Sequence, residues 1–371
     1  MLLPIVRKEL LQIKRDRRMF PIIFVAPVLQ LIILGYAATF DVKNVRTVVC
    51  DGDRTQESRD YIASYFAGAS FEKIGDLESC REVDGYLDRG DADVALIVPS
   101  GFGKSVASGE NTAVQVLVNG TDANAGGVGL GYIGAINGTY STGIMVERLR
   151  KAGNVGVAIV GLQDRVLYNP ELTSRNYMVP AILALLLMLV STMLTALAVV
   201  KEKETGTLEQ LIVTPARSYQ IIIGKLLPFI LLSLIDVVLV TSVAVFWFHV
   251  PFRGSFLLLV GLSLPFLMNT LGLGLLVSTV SGTQQQAMMT VMFAIMLPFI
   301  YFSGFVFPIE NMPRVIQLAT YAVPLRYYLE IVRGIFLKGV GLEVLWKQGA
   351  ILTGMGIFIL GLAIARFRKQ L

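Results

Sequence analysis

The sequence predicts a mostly α-helical polytopic membrane protein, with six transmembrane helices and an inserted α/β extracytoplasmic domain between the first two. Three observations predict it. The mean hydropathy is +0.65, 54% of the 371 residues are hydrophobic, and the charges are gathered into short clusters. Residues 254–309 carry no charged side chain at all. Residues 41–176, by contrast, have the composition of a soluble domain, with 13 Lys/Arg against 18 Asp/Glu.

A helix needs about 20 apolar residues to cross the hydrocarbon layer. Six stretches qualify: 19–40, 177–200, 226–250, 255–277, 285–305 and 348–365. Residues 1–18 precede the first span as an amphipathic cytoplasmic entrance helix. An even number of spans puts both termini on one side, and short cytoplasmic segments retain Lys and Arg. Arg7, Lys8, Lys14, Arg15, Arg17 and Arg18 precede the first span, and Arg366, Arg368 and Lys369 follow the last. Both termini are therefore expected in the cytoplasm. The link after the second span, with Lys201, Lys203, Arg217 and Lys225, agrees. The first span lacks a small-residue cleavage site and is too long for a secretory leader. A net charge of +5 and a pI of about 9.1 do not indicate nucleic acid, because the cations flank spans rather than forming a basic, aromatic-interleaved surface.

Within 41–176, Val45 to Cys50, Val94 to Val98 and Ala113 to Val118 read as strands. Arg54 to Phe66 and Leu77 to Asp88 read as helices between them, which predicts a small α/β domain. Residues 123–150 form a long helix candidate. Its Gly129, Gly131 and Gly134 spell a GxGxxG that does not directly follow a strand, so the dinucleotide reading fails. Gly103-Lys104-Ser105 is not a phosphate loop either, since the required glycine is Val98. One histidine, His249, makes neither a catalytic nor a metal cluster, so no catalytic residue and no metal site is expected. Cys50 and Cys80 both fall in this domain, where an oxidising compartment permits a disulfide; a buried thiol at the end of a strand is the alternative for Cys50.

After the uncharged stretch Tyr177–Val200 comes KEKETGTLEQLIVTP, residues 201–215. Leu208, Leu211 and Ile212 share a helical face behind a charged start. Further on, Leu297, Pro298, Phe302, Ser303, Gly304, Phe307, Pro308, Met312, Pro313, Pro324, Leu325, Arg333 and Gly334 form a second ordered run, and Lys8, Glu9 and Leu10 with Arg15 and Asp16 a third near the start. Together these resemble the signatures of type-2 ATP-binding-cassette (ABC) transporter permeases, in the drug-exporter-like subgroup.

That resemblance implies a bacterial inner-membrane subunit, not itself an enzyme, which works with a second permease chain, as a homodimer or a related heterodimer. Two copies of a separate ABC ATPase subunit would bind ATP and Mg, leaving no cofactor in this chain. Residues 177–371 would hold the other five spans, with a coupling segment 201–216 and outer re-entrant helices at 306–347. In the coupling segment, a helix continuous with the second span and ended by Thr214 and Pro215, Glu202, Glu204 and Glu209 would orient the element. Leu208 and Leu211 would anchor it, with Gly206 and Thr207 between. The alternative is an ordinary interfacial helix against membrane lipid. Ser303, Gly304, Pro308, Pro313, Pro324 and Arg333 belong to the implied outer gate, for which helices resting on the membrane surface are the alternative.

Asp236 lies in the middle of a span, where a carboxylate is costly. It is expected to be protonated or to meet hydroxyls such as Ser233; proton or cation movement is the second reading. The expected function is ATP-driven export of a drug-like or amphipathic compound. A lipid or glycan exporter is the runner-up, and the outer domain is a possible meeting point for a periplasmic adaptor protein. A membrane receptor is the rival of another class, against which stands the lack of any cytoplasmic stretch long enough for a signalling domain.

Overall fold

The computed structural model describes residues 2–15, 21–38, 45–68, 70–120, 123–151, 168–169, 173–207 and 218–368. Contacts divide the chain into two compact units, Met1–Thr39 with Arg165–Leu371, and Phe40–Asp164.

The first unit is helical. It opens with α1 (Leu2–Arg15), a π-helical turn at Pro21–Val25 and α2 (Ala26–Ala37). In the second unit, β1 (Val45–Asp51), α3 (Gln56–Phe66), β2 (Phe71–Asp76), α4 (Val83–Asp88), β3 (Val94–Val98), α5 (Phe102–Ser108) and β4 (Gln115–Val118) lead into α6 (Ala123–Lys151). The first unit then resumes with α7 (Ser174–Glu204), α8 (Ser218–Phe246), α9 (Phe256–Val280), α10 (Gln284–Thr290), α11 (Leu297–Phe302), α12 (Arg314–Thr320), α13 (Pro324–Arg333) and α14 (Leu342–Arg368).

The second unit holds a four-stranded sheet in the order β2-β1-β3-β4, parallel except for β4. Central β1 is covered on both faces, as parallel strands require. Val45 and Val49 pack with Tyr61, Tyr65 and Phe71, whereas Val48 and Cys50 face Leu77, Val83 and Ala95. Three readings from the sequence need correction here. Strand β2, Phe71–Asp76, was absent from them because only Phe71 of its six side chains is buried and the rest look like a polar loop. The helix expected at 77–88 is a 3₁₀ turn at Cys80–Glu82 followed by α4, and the strand expected from Ala113 begins at Gln115.

Cys50 and Cys80 are joined by a disulfide that ties β1 to that 3₁₀ turn. The GxGxxG lies inside α6 rather than in a turn between a strand and the start of a helix. At Gly103-Lys104-Ser105, the start of α5 is occupied from within: Asp53 accepts the amides of Gly101 at 2.6 Å and Gly103 at 2.8 Å, and Thr55 Oγ1 donates to it at 2.6 Å. These donors, Thr55 first, hold the Asp53 carboxyl below its ordinary range.

In the first unit, five helices among the described residues are long and apolar enough to cross a membrane: Ser174–Glu204, Gln220–Phe246, Phe256–Val280, Gln284–Phe302 and Leu342–Arg366. The apolar helix in the region of the first expected span is shorter, Ile23–Ala37. Helix α7 is the hub, packed by α2, α8, α9, α10 and α13. Buried hydroxyls join it to α9, because hydrocarbon offers them no other partner. Ser191 Oγ bonds to Thr270 Oγ1 at 2.7 Å, and Thr192 Oγ1 donates to the Thr270 carbonyl at 3.2 Å. Asn269 Nδ2 donates to the Leu352 carbonyl of α14 at 2.8 Å, and the Tyr328 ring of α13 stacks on Phe266 with centroids 4.0 Å apart. Residues 306–341 are broken into short helices, as their prolines dictate: Pro308 precedes a 3₁₀ turn, Pro313 precedes α12 and Pro324 is the first residue of α13, whereas residues 342–347, expected among them, already belong to the long helix α14.

Candidate functional site

The tail of α7 leaves its apolar stretch at Val200 and at once carries Lys201, Glu202, Lys203 and Glu204. Successive residues on a helix point about 100° apart, so the charges fan out to different neighbours. Glu202 points inward and is 4% exposed. There it meets Lys225 of α8, also 4% exposed, in a direct ion pair, and Lys8 of α1 at 2.5 Å. Glu9 of α1, again 4% exposed, completes the group, with Lys8 at 3.2 Å and Lys225 at 3.7 Å. Two carboxylates and two ammonium groups thus cancel, three of them buried and Lys8 reaching in from the surface, and bind three helices together. Burial disfavours the charged form of Lys8, but hydrogen bonding and charge from Glu202, then Glu9, outweigh it and hold its pKa above the ordinary value.

The approach of α1 to α8 that makes this possible depends on Gly224, next to Lys225. A Cβ there would lie 2.9 Å from Ile5 Cγ2 and 3.1 Å from Ile5 Cβ.

Lys203 and Glu204 face the other way. Lys203 Nζ donates to the Ser281 carbonyl at 3.2 Å. Glu204 accepts the Gln284 amide at 2.8 Å and the Gln284 side-chain amide on its other oxygen, which places a carboxylate at the positive start of α10. The tail of α7 is therefore held on one side to α1 and α8, and on the other to the turn before α10.

Helix α7 is broken within the expected coupling helix, at Thr205–Gly206, and Thr207 is helical again. It stops at Glu204: Thr205 donates to the Lys201 carbonyl at 3.0 Å and Gly206 to Lys203 at 3.3 Å, with Gly206 left-handed at φ 69°. Thr207 Oγ1 then reaches back to the Glu202 carbonyl at 3.3 Å. Leu208, Glu209, Leu211, Thr214 and Pro215 lie outside the described residues.

The other expected residues lie elsewhere in the same unit. Asp236 is 2% exposed in the middle of α8, beside a cavity of about 10 Å³ lined by Pro27, Leu183, Leu186 and Val240. Neither its two oxygens nor Ser233 Oγ has a hydrogen-bond partner among the described residues. Ser303 is buried and donates to the Ile300 carbonyl at 3.4 Å, while Gly304 is left-handed at φ 80°. Arg333 joins Gly304 to Tyr177, its Nη1 donating to the Gly304 carbonyl at 3.4 Å and its guanidinium lying 3.7 Å from the Tyr177 ring centroid.

Reasoning from sequence missed the roles of Lys225, Glu9 and Gln284. Lys225 carries a visible signal, a lone cation inside the apolar run IIIGKLLPFILL. Glu9 and Gln284 carry none, since Lys225 and Glu204, the partners they meet on other helices, lie 216 and 80 residues away in the chain and only the fold brings them together.

The chain is similar in sequence to proteins named as transporter permeases. The chain is 29% identical over 365 residues to the "Probable multidrug ABC transporter permease YbhS" of Escherichia coli (strain K12), covering 98% of this chain and 96% of that protein. It is 28% identical over 344 residues to the "Probable multidrug ABC transporter permease YbhR" of the same organism, at 93% and 92% coverage. To its "Inner membrane transport permease YhhJ" the identity is 28% over 330 residues, at 87% and 85% coverage. Residues 17–365 match the family described as "ABC-2 family transporter protein", and the chain belongs to that family.

Proposed function

We propose that this chain is the transmembrane subunit of an ATP-driven exporter of drug-like or amphipathic compounds. The charge-locked tail of α7 carries the proposal. An ATPase that opens and closes beneath the membrane needs a rigid element through which its motion reaches the spans. Four helices meet at Glu202 to Glu204, so a push on the segment that follows is passed at once to α1, α7, α8 and α10. Residues Thr205 to Pro215 would form the contact, with Leu208 and Leu211 seated in the ATPase and Glu209 at its edge, while buried Glu202 ties the segment to α1 and α8.

In this reading a separate ABC subunit, present twice, binds ATP and Mg and performs hydrolysis. A second permease chain, either another copy or a related one, completes the path. The Gln284–Phe302 span supports that need, because Met288, Met289, Met292 and Phe293 are all at least 45% exposed and require lipid or protein cover. The first span includes α2, both termini and residues 201–216 are cytoplasmic, and residues 41–176 face the periplasm, where an adaptor protein would find them. Residues 306–347 close the outer end, with Ser303, Gly304 and Arg333 at the gate and the proline breaks letting them re-enter the outer leaflet. The printed names of YbhS and YbhR support a drug-like substrate, and that of YhhJ supports the inner membrane.

The test is substrate-stimulated ATP hydrolysis by the complex purified from membranes. The expected result is that the ATPase co-purifies and that lipophilic drugs stimulate it. Stimulation by lipids or glycans alone would reassign the substrate, and a chain that retains no ATPase would defeat the proposal.

A further inference from the structure

The end of α7 opposite the Glu202 cluster holds guanidinium groups whose hydrogen-bonding capacity is only partly used. Arg333, in the last turn of α13, has Nε and Nη2 buried with no acceptor among the described residues, and no carboxylate pairs with it there. Its two contacts are the Tyr177 face and the Gly304 carbonyl. Arg326, seven residues earlier, repeats the pattern: its guanidinium lies 4.1 Å from the Tyr321 centroid, Nη1 donates to Thr320 Oγ1, and Nε is unmatched. Seven residues is about two helical turns, so the two arginines leave the helix on one face, their backbone positions roughly 10 Å apart. Glu330, the carboxylate between them, accepts from Gln348 Nε2 at 3.0 Å instead. Arg175, two residues before Tyr177, has a third buried Nε without an acceptor.

A guanidinium offers five N–H donors in a rigid fork, and each buried donor without an acceptor costs free energy. The group that satisfies such a fork bears several oxygens and negative charge; phosphate fits it, and the aromatic face beneath fixes the plane in which the fork opens. The segment leading from Gly304 to α13 exposes large apolar side chains among its charges, with Phe307 52%, Val315 80% and Leu318 71% exposed. Such a surface suits acyl chains better than a dissolved ion.

We infer that Arg333, oriented by Tyr177 and Gly304 and assisted by Arg326, binds the phosphate of an anionic lipid headgroup. The site is defined by this chain alone, so it stands or falls independently of the export reading.

The experiment titrates the purified full-length chain in detergent with phosphatidylglycerol, with a diacylglycerol lacking phosphate, and with inorganic phosphate. Binding is read by native mass spectrometry and by the shift in unfolding temperature. Phosphatidylglycerol is expected to bind and stabilise, and the diacylglycerol is not. Arg333→Gln should weaken phosphatidylglycerol binding by roughly tenfold or more, the loss expected for hydrogen bonds to a charged group. Arg333→Lys should lose less, since it keeps the charge and loses the fork, and it carries the test if the Gln variant does not fold. Exposed Arg314 is the control, and Arg314→Gln should bind as the parent does. Inorganic phosphate protecting through Arg333, with no added gain from the lipid, would keep the phosphate site and make its source soluble. Phosphatidylglycerol binding unchanged in both Arg333 variants, or lost equally in Arg314→Gln, would overturn the site.

Discussion

Glu202 is the residue on which most depends. Its side chain is the shared counterion of Lys8 and Lys225, and breaking a buried pair by neutralising one member strands the other. Glu202→Gln is expected to destabilise the protein by about 3 kcal/mol, the usual cost of an uncompensated buried charge. Replacing Glu202 and Lys225 together by apolar residues should cost less, because no unpaired ion is left at that contact. Thermal unfolding of the parent, the single and the double variant checks this, and equal stability of Glu202→Gln and the parent would refute it. The Lys8 pKa is raised in the folded protein, so its contribution is complete below the ordinary lysine value of 10.5 and is lost as pH rises through the folded value. Melting curves should therefore show the hold of α1 weakening only in the alkaline range. Glu202 was legible in the sequence as a charge at the end of a span. Its partners were not, because Lys8 and Lys225 lie on other helices and no local spacing announces them.

Among the elements, α1 and the tail of α7 act as one piece, and Gly224 sets how closely α1 sits on α8. Gly224→Val places a branched side chain against the Ile5 stem and should cost about 1–3 kcal/mol while pushing α1 outward. A pair of cysteines across the α1–α8 contact should form a disulfide readily in the parent and slowly in the variant; equal rates would show that the contact tolerates bulk. The long apolar helices were legible because a run of about 20 uncharged residues has few other uses. The stop after Glu204 was not, for the motif reads as one helix through 215, and Gly206 became a terminator only when it took a left-handed conformation. Strand β2 was hidden for a related reason: an edge strand with one buried side chain is held by its backbone pairing to β1, which composition does not record.

At the scale of the whole molecule, two units with different chemistry share one chain. The α/β unit was legible from its soluble composition and its strand runs, and the Cys50–Cys80 bond settles between two readings that the sequence left open. The helical unit was legible as a permease from separated motifs, of which the runs at 201–215 and 297–334 fall within the family match over residues 17–365. The fourfold charge cluster that knits α1, α7 and α8 is the part that required the fold. From it follows the central claim, that motion of an ATPase enters through the segment after Glu202. The most direct measurement is a cysteine crosslink from position 209 to the ATPase subunit in the assembled complex, in the presence and absence of ATP. The account predicts a crosslink whose yield changes with nucleotide. An intact, ATP-hydrolysing complex that gives no crosslink from position 209 in either condition would contradict it.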